Sequence, residues 1–83
     1  MDRADVHDKI RSFLLSEIIR MPDYPLQDDE PIITGGLMSS FDLALFGNFA
    51  KNELGVNIPN IDLTVENLDT LDQMVNRVMR DLG

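Results

Sequence analysis

The segment Gly35-Gly36-Leu37-Met38-Ser39-Ser40-Phe41-Asp42 brings together the residue types and spacing in this chain best suited to chemistry. Two glycines free the backbone, and two serines follow where a helix would begin. Ser39 is placed to cap that helix, with Asp42 three residues later as an acidic variant of the capping box. Ser40 then stands in the first turn. There, free N–H groups and the positive end of the helix dipole favour an anion such as a phosphodiester. Plain capping accounts for the same residues, so both readings stand on this segment alone.

The remaining polar groups offer less. Asp28, Asp29 and Glu30 are contiguous, and Asp62, Glu66, Asp69 and Asp72 follow one another with no basic residue between them. A calcium loop needs oxygen ligands at alternating positions, a central glycine and a closing glutamate; neither stretch fits. Both read as solvated acidic surface, compatible with attraction of basic partners. His7, one position past Val6 and off the best apolar line, reads as a surface histidine. Tyr24, between Pro22 and Pro25, reads as a loop anchor. With no cysteine and one histidine there is no disulfide framework, thiolate zinc site, cysteine nucleophile or multi-histidine metal centre.

The 83 residues fit one domain, taken as residues 1–83. A chain this short buries only about 60% of its unfolded surface, too little scaffold for a deep, walled active site. Fifteen acids against seven bases give a formal charge of −8. Nucleic acid and anionic membranes, both polyanions, are therefore excluded as expected partners. The N-terminus is charged from Asp2 onward, and no apolar run approaches the roughly 20 residues of a membrane span. A soluble, cytoplasmic, monomeric protein is the expectation.

The elements that must position Ser40 are helical. Val6, Ile10, Phe13, Leu14 and Ile18 mark one face of an amphipathic helix over about residues 4–20, with Leu15 and Ile19 widening its stripe. Asp2 and Asp5 suit its N-terminal dipole, Arg20 suits its C-terminus, and Pro22 should end it at Met21. Residues 21–37 form a long connection in which Tyr24, Leu26, Ile32, Ile33 and Leu37 should tuck into the core. A second helix is expected over residues 40–54, closed by Gly55 at the left-handed position. It is more apolar than one buried face needs: either the domain wraps it, or part of its surface meets partners. Val56-Asn57-Ile58-Pro59 reads as an extended connector and residues 64–67 as one short helical turn. Thr70 and Gln73, in capping-box spacing, open a last helix over residues 71–82. The expected fold is all-α, a small bundle of three main helices plus one short helical turn, with a long first loop.

This ordered set resembles the discrete acyl and peptidyl carrier proteins. The resemblance spans nearly the whole chain. Tyr24-Pro25-Leu26 and Pro31-Ile32-Ile33-Thr34-Gly35-Gly36-Leu37 resemble the family's first loop, and Ser40-Phe41 falls at its attachment site. Phe46 through Leu54-Gly55-Val56 resembles the end of its second helix. Ile58-Pro59 lies at the usual interval after the serine, and Leu68-Asp69-Thr70-Leu71 resembles the start of its last helix. The resemblance implies a 4′-phosphopantetheine arm, donated by coenzyme A and esterified to Ser40. Two departures stand out. Ser39 occupies the place of the family's aspartate, and the second helix holds only Asp42 and Glu53 as acids, alongside Lys51. Apolar contact through Phe41, Ala44 and Leu45 should therefore matter more to partners, with Asp42, Asp62 and Glu66 as the acidic contacts.

The function so implied is that of a carrier, not an enzyme. Acyl or aminoacyl intermediates of a specialised polyketide, nonribosomal peptide or fatty-acid-like pathway would ride on the arm as thioesters. The implied partners are a phosphopantetheinyl transferase, an acyl- or aminoacyl-activating ligase and downstream synthase enzymes. The alternative is a non-covalent helical interaction module, or a carrier-like protein without the arm. A small hydrolase using Ser40 is a weaker third reading, because His7 lies in another helix.

Overall fold

The computed structural model describes residues 1–82. Four α-helices form: α1 (Arg3–Phe13), α2 (Leu43–Glu53), α3 (Val65–Leu68) and α4 (Leu71–Leu82). A π-helical turn, Leu14–Ile18, prolongs α1, and 3-10 turns at Ser40–Asp42 and Asn60–Asp62 precede α2 and α3. No strand occurs among the described residues, and the fold is the expected small all-α bundle.

α1 starts where the Asp2 carboxylate accepts the Asp5 N–H at 2.9 Å. Its Val6 and Ile10 are fully buried, and α1 packs on α4, which buries Leu71, Met74, Val75 and Val78. The turn after α1 is wider than α-helical, the Ile19 N–H reaching five residues back to the Leu14 carbonyl at 2.7 Å. The Ser16 hydroxyl donates to the Ser12 carbonyl at 2.7 Å, a back-bond of the kind that bends helices. Leu14 and Leu15, adjacent in sequence, are both buried at this turn. Sequence placed the helix end at residue 20; the helical backbone stops at Ile19. Arg20 takes a left-handed φ of 59°, and the Met21 N–H closes onto the Leu15 carbonyl at 3.0 Å. The physical reason is Pro22: it bars helical geometry at Met21, so the reversal falls on the residue before.

The long connection is anchored as expected. Leu26, Ile32 and Met38 are buried, and Tyr24, Ile33 and Leu37 pack partly against the core. The Tyr24 hydroxyl donates to the Glu30 carboxylate. A Cβ on Gly35 would collide with the Pro31 carbonyl oxygen, and Gly36 has φ 88°, so the glycine pair is required by close approach and by backbone sign.

The second helix begins differently from the expectation. Ser40–Asp42 form a 3-10 turn, and α2 proper starts at Leu43. It buries Leu43, Phe46 and Ala50, one line of a helix that is apolar nearly all round. Gly55, with φ 70°, ends it, and the Val56 N–H bonds to the Ala50 carbonyl at 3.0 Å. Val56 and Ile58 then point inward along the extended connector. At the start of α4, the Gln73 N–H donates to Thr70 Oγ1 and the Thr70 N–H to Gln73 Oε1, both at 3.1 Å, completing the expected capping box.

Arg77 is a departure from the apolar stripe read for the last helix. It is only 9% exposed. Its guanidinium meets Asp62 at 3.0 Å and Asp81 at 3.2 Å. Burial works against its charge, but Asp81 and Asp62 outweigh that and raise its pKa above the ordinary value.

Candidate functional site

Ser40 is exposed at the first position of the 3-10 turn that leads into α2. Ahead of it, Ser39 is extended, with φ −90° and ψ 162°. The Asp42 carboxylate accepts the Ser39 N–H at 3.1 Å, and the Asp42 N–H donates to the Ser39 carbonyl at 3.1 Å. That bond is the first i→i−3 bond of the turn, so the N–H groups of Ser40 and Phe41 lie ahead of it, at the positive end of α2. A hydroxyl here is reachable, and a phosphodiester attached to it would sit beside favourable donors.

The neighbours of Ser40 divide into two kinds. Phe41 is 89% exposed and Leu45 50% exposed, and Ala44 is exposed with them. The apolar excess of α2 is thus left open to solvent rather than wrapped by the domain. Asp42, expected among the partner contacts, is half-buried and its carboxylate is committed to the Ser39 N–H. Ile61, which sequence reasoning did not single out, is 81% exposed on the Asn60–Asp62 turn. Leu63, the residue after that turn, packs closely on α2: a Cβ on Gly47 would lie 3.1 Å from its side chain. The only signal for Ile61 in the sequence is an isolated isoleucine between Asn60 and Asp62.

The acids are not a uniform solvated surface. Glu66 is exposed on α3. Asp62, by contrast, is paired with Arg77 and also lies 3.6 Å from Arg80. Asp69 holds the first loop, its Oδ1 accepting the Ile33 N–H at 2.8 Å and the Thr34 N–H at 3.0 Å, its Oδ2 the Thr34 hydroxyl at 2.7 Å. Burial pushes the Asp69 carboxyl up, but these three donors together hold it below the usual carboxylate value. Asp72 lies 3.6 Å from Arg3. The basic partners come from other elements, which is why a local reading of residues 62–72 missed them.

His7 is likewise no bystander. Its Nε2 lies 2.8 Å from Asp28 and its Nδ1 3.2 Å from Asp8, and it is half-buried. Both ring nitrogens are engaged by carboxylates on the α1 side of the first loop.

The chain matches no family model and no curated protein significantly. Among the described residues no group of three or more His, Cys, Asp or Glu is arranged to hold a metal ion. Among them, too, no helix is long and apolar enough to cross a membrane. The site consists of two adjacent exposed serines at a helix start, Ser39 and Ser40, with exposed apolar side chains following them.

Proposed function

We propose that this protein is a carrier, with Ser40 as the attachment point of a 4′-phosphopantetheine arm. The observation that carries the reading is the exposed Ser40 at the mouth of α2, next to an almost fully exposed Phe41, in a chain whose order of motifs resembles the carrier family. The Ser40 hydroxyl oxygen would bond to the pantetheine-side phosphorus of coenzyme A as the pyrophosphate P–O bond breaks, adenosine 3′,5′-bisphosphate leaving with the bridging oxygen and the serine proton passing to the transferase. When bound, the arm supplies a terminal thiol that holds an acyl or aminoacyl group as a thioester. The chain's own residues do the rest. The first N–H groups of the α2 turn favour the phosphodiester, and Phe41, Ala44 and Leu45 offer an apolar face to the transferase, the loading ligase and the synthases. Tethering raises the effective concentration of cargo at each docked enzyme. The protein would act as a cytoplasmic monomer. A non-covalent interaction module is the second reading, favoured by Ser39 standing where the family has aspartate.

The test is intact mass and peptide mapping after coexpression with a broad-specificity phosphopantetheinyl transferase. One added arm on Ser40, absent from Ser40→Ala, is the expected result. Ser39→Ala should still be modified while losing about 1 kcal/mol of stability at the cap. An unmodified chain after prolonged reaction supports the interaction module instead, and an arm on Ser39 overturns the assignment.

A further inference from the structure

The loop before Ser40 is held by a residue distant in sequence. Three acceptors on Asp69 take four donors of the loop. Its backbone carbonyl accepts the Ile32 N–H at 2.7 Å, and its carboxylate accepts the Ile33 and Thr34 N–H groups and the Thr34 hydroxyl. The Ile32 carbonyl in turn accepts the Leu37 N–H at 2.9 Å and the Met38 N–H at 3.1 Å. Ser39 follows directly and is joined to Asp42 across Ser40. Asp69 is itself fixed: its N–H donates to Gln73 Oε1 at 2.8 Å, the oxygen that also takes the Thr70 N–H. A continuous relay of hydrogen bonds thus runs from the start of α4, through the loop, to the residues on either side of Ser40.

We propose that Asp69 is a positioning residue, which clamps residues 31–38 to the start of α4 and so sets how Ser40 is presented; this rests on Ser40 being the attachment point. The clamp needs acceptor oxygens more than charge. An asparagine keeps one oxygen for the Ile33 and Thr34 N–H groups, and its NH2 can donate to the Thr34 hydroxyl. A leucine of similar size keeps none of this and strands the three donors.

The experiment uses the full chain in four forms: wild type, Asp69→Leu, Asp69→Asn and Thr34→Val. Residue-resolved amide exchange of the unmodified protein is paired with the rate of arm transfer by a broad-specificity transferase, below the unfolding temperature of every variant. In Asp69→Leu, protection at Leu37, Met38 and Asp42 should fall about tenfold more than at Ile10 and Val78 in the helices. Arm transfer should slow by about tenfold or more, as misplacement of a reacting group does. Asp69→Asn should restore both, and Thr34→Val should shift both in the same direction by less. If Asp69→Leu does not fold, the contrast of Thr34→Val with Asp69→Asn decides alone. Uniform loss of protection across loop and helices would make Asp69 merely structural and overturn the proposal. So would selective loop opening with an unchanged transfer rate. If the wild type accepts no arm, the attachment reading falls separately, and the exchange pattern alone then decides whether Asp69 orders the residues around Ser40.

Discussion

Phe41 and His7 show how far a side chain's role departs from its type. Phe41 is a large apolar group with almost no burial, so truncating it removes little from the core. Phe41→Ala should change stability by no more than about 0.5 kcal/mol, the usual range for surface substitutions. On the proposed carrier reading it should nevertheless weaken transferase binding. Paired denaturation and binding curves on the one variant check this, and a loss near the ~3–5 kcal/mol of a buried phenylalanine would mark it as core. His7 is the reverse case, a polar group with a structural task. The Asp28 hydrogen bond is the largest influence on its ring; partial burial opposes it and Asp8 adds to it, leaving the pKa above the ordinary 6.5. A neutral imidazole has one N–H and cannot donate to both carboxylates. The folded value is raised, so the stabilisation is fully present below about pH 6.5 and fades as pH rises through the folded pKa. The stability gap between wild type and His7→Gln should therefore be larger at pH 5.5 than at pH 8.5 in thermal melts; a gap independent of pH would show that the imidazolium contributes nothing.

The long first loop behaves as an element in its own right. Its buried Leu26, Ile32 and Met38 hold it to the core, and its glycines let it turn tightly. Gly35→Ala would drive a Cβ into the Pro31 carbonyl, a backbone atom with no flexible end to move aside. We expect a cost of about 1–3 kcal/mol, read by urea denaturation, with the loop opening before the helices. The helix ends carry the opposite lesson. Arg20 occupies a left-handed position at which glycine meets no Cβ penalty. Arg20→Gly should be neutral or stabilising by up to about 1 kcal/mol, and a clear loss in melting temperature would show that the arginine side chain has a packing role.

For the whole molecule, the charge of −8 is distributed unevenly by pairing. Asp62 with Arg77 and Arg80, Asp72 with Arg3, and Asp28 with His7 are satisfied within the chain. Exposed acids such as Glu66 remain, and on the proposed carrier reading they would steer basic partners. If the chain is the carrier proposed above, its association with the transferase should slow as salt rises. Glu66→Gln should flatten that dependence with little change in stability, whereas Asp62→Ala should cost about 1–3 kcal/mol by stranding part of the Arg77 guanidinium. Stopped-flow rates across a salt series, beside melts of both variants, separate steering from structure.

What could be read from residue order was whatever depends on neighbours within about one helical turn. The apolar spacing of α1 and α4, the Thr70–Gln73 box, the stop before Pro22 and the left-handed Gly55 all belong here, because each interaction closes over three to six residues. Ser40 was legible for the same reason only as a serine at a helix start; the choice of it as attachment point over plain capping came from the resemblance to the carrier family. What residue order left open was which distant group each polar side chain would meet. Asp69 finds Ile33 across 36 positions, His7 finds Asp28 across 21, and Arg77 finds Asp62 across 15. The exposure of Phe41, Leu45 and Ile61 was equally hidden, since a helix apolar on nearly every side does not say which side the core will take. Only the packing of α1 on α4, with the loop clamped over them, decided those matters, because a contact between distant residues exists only once the intervening chain has been folded back.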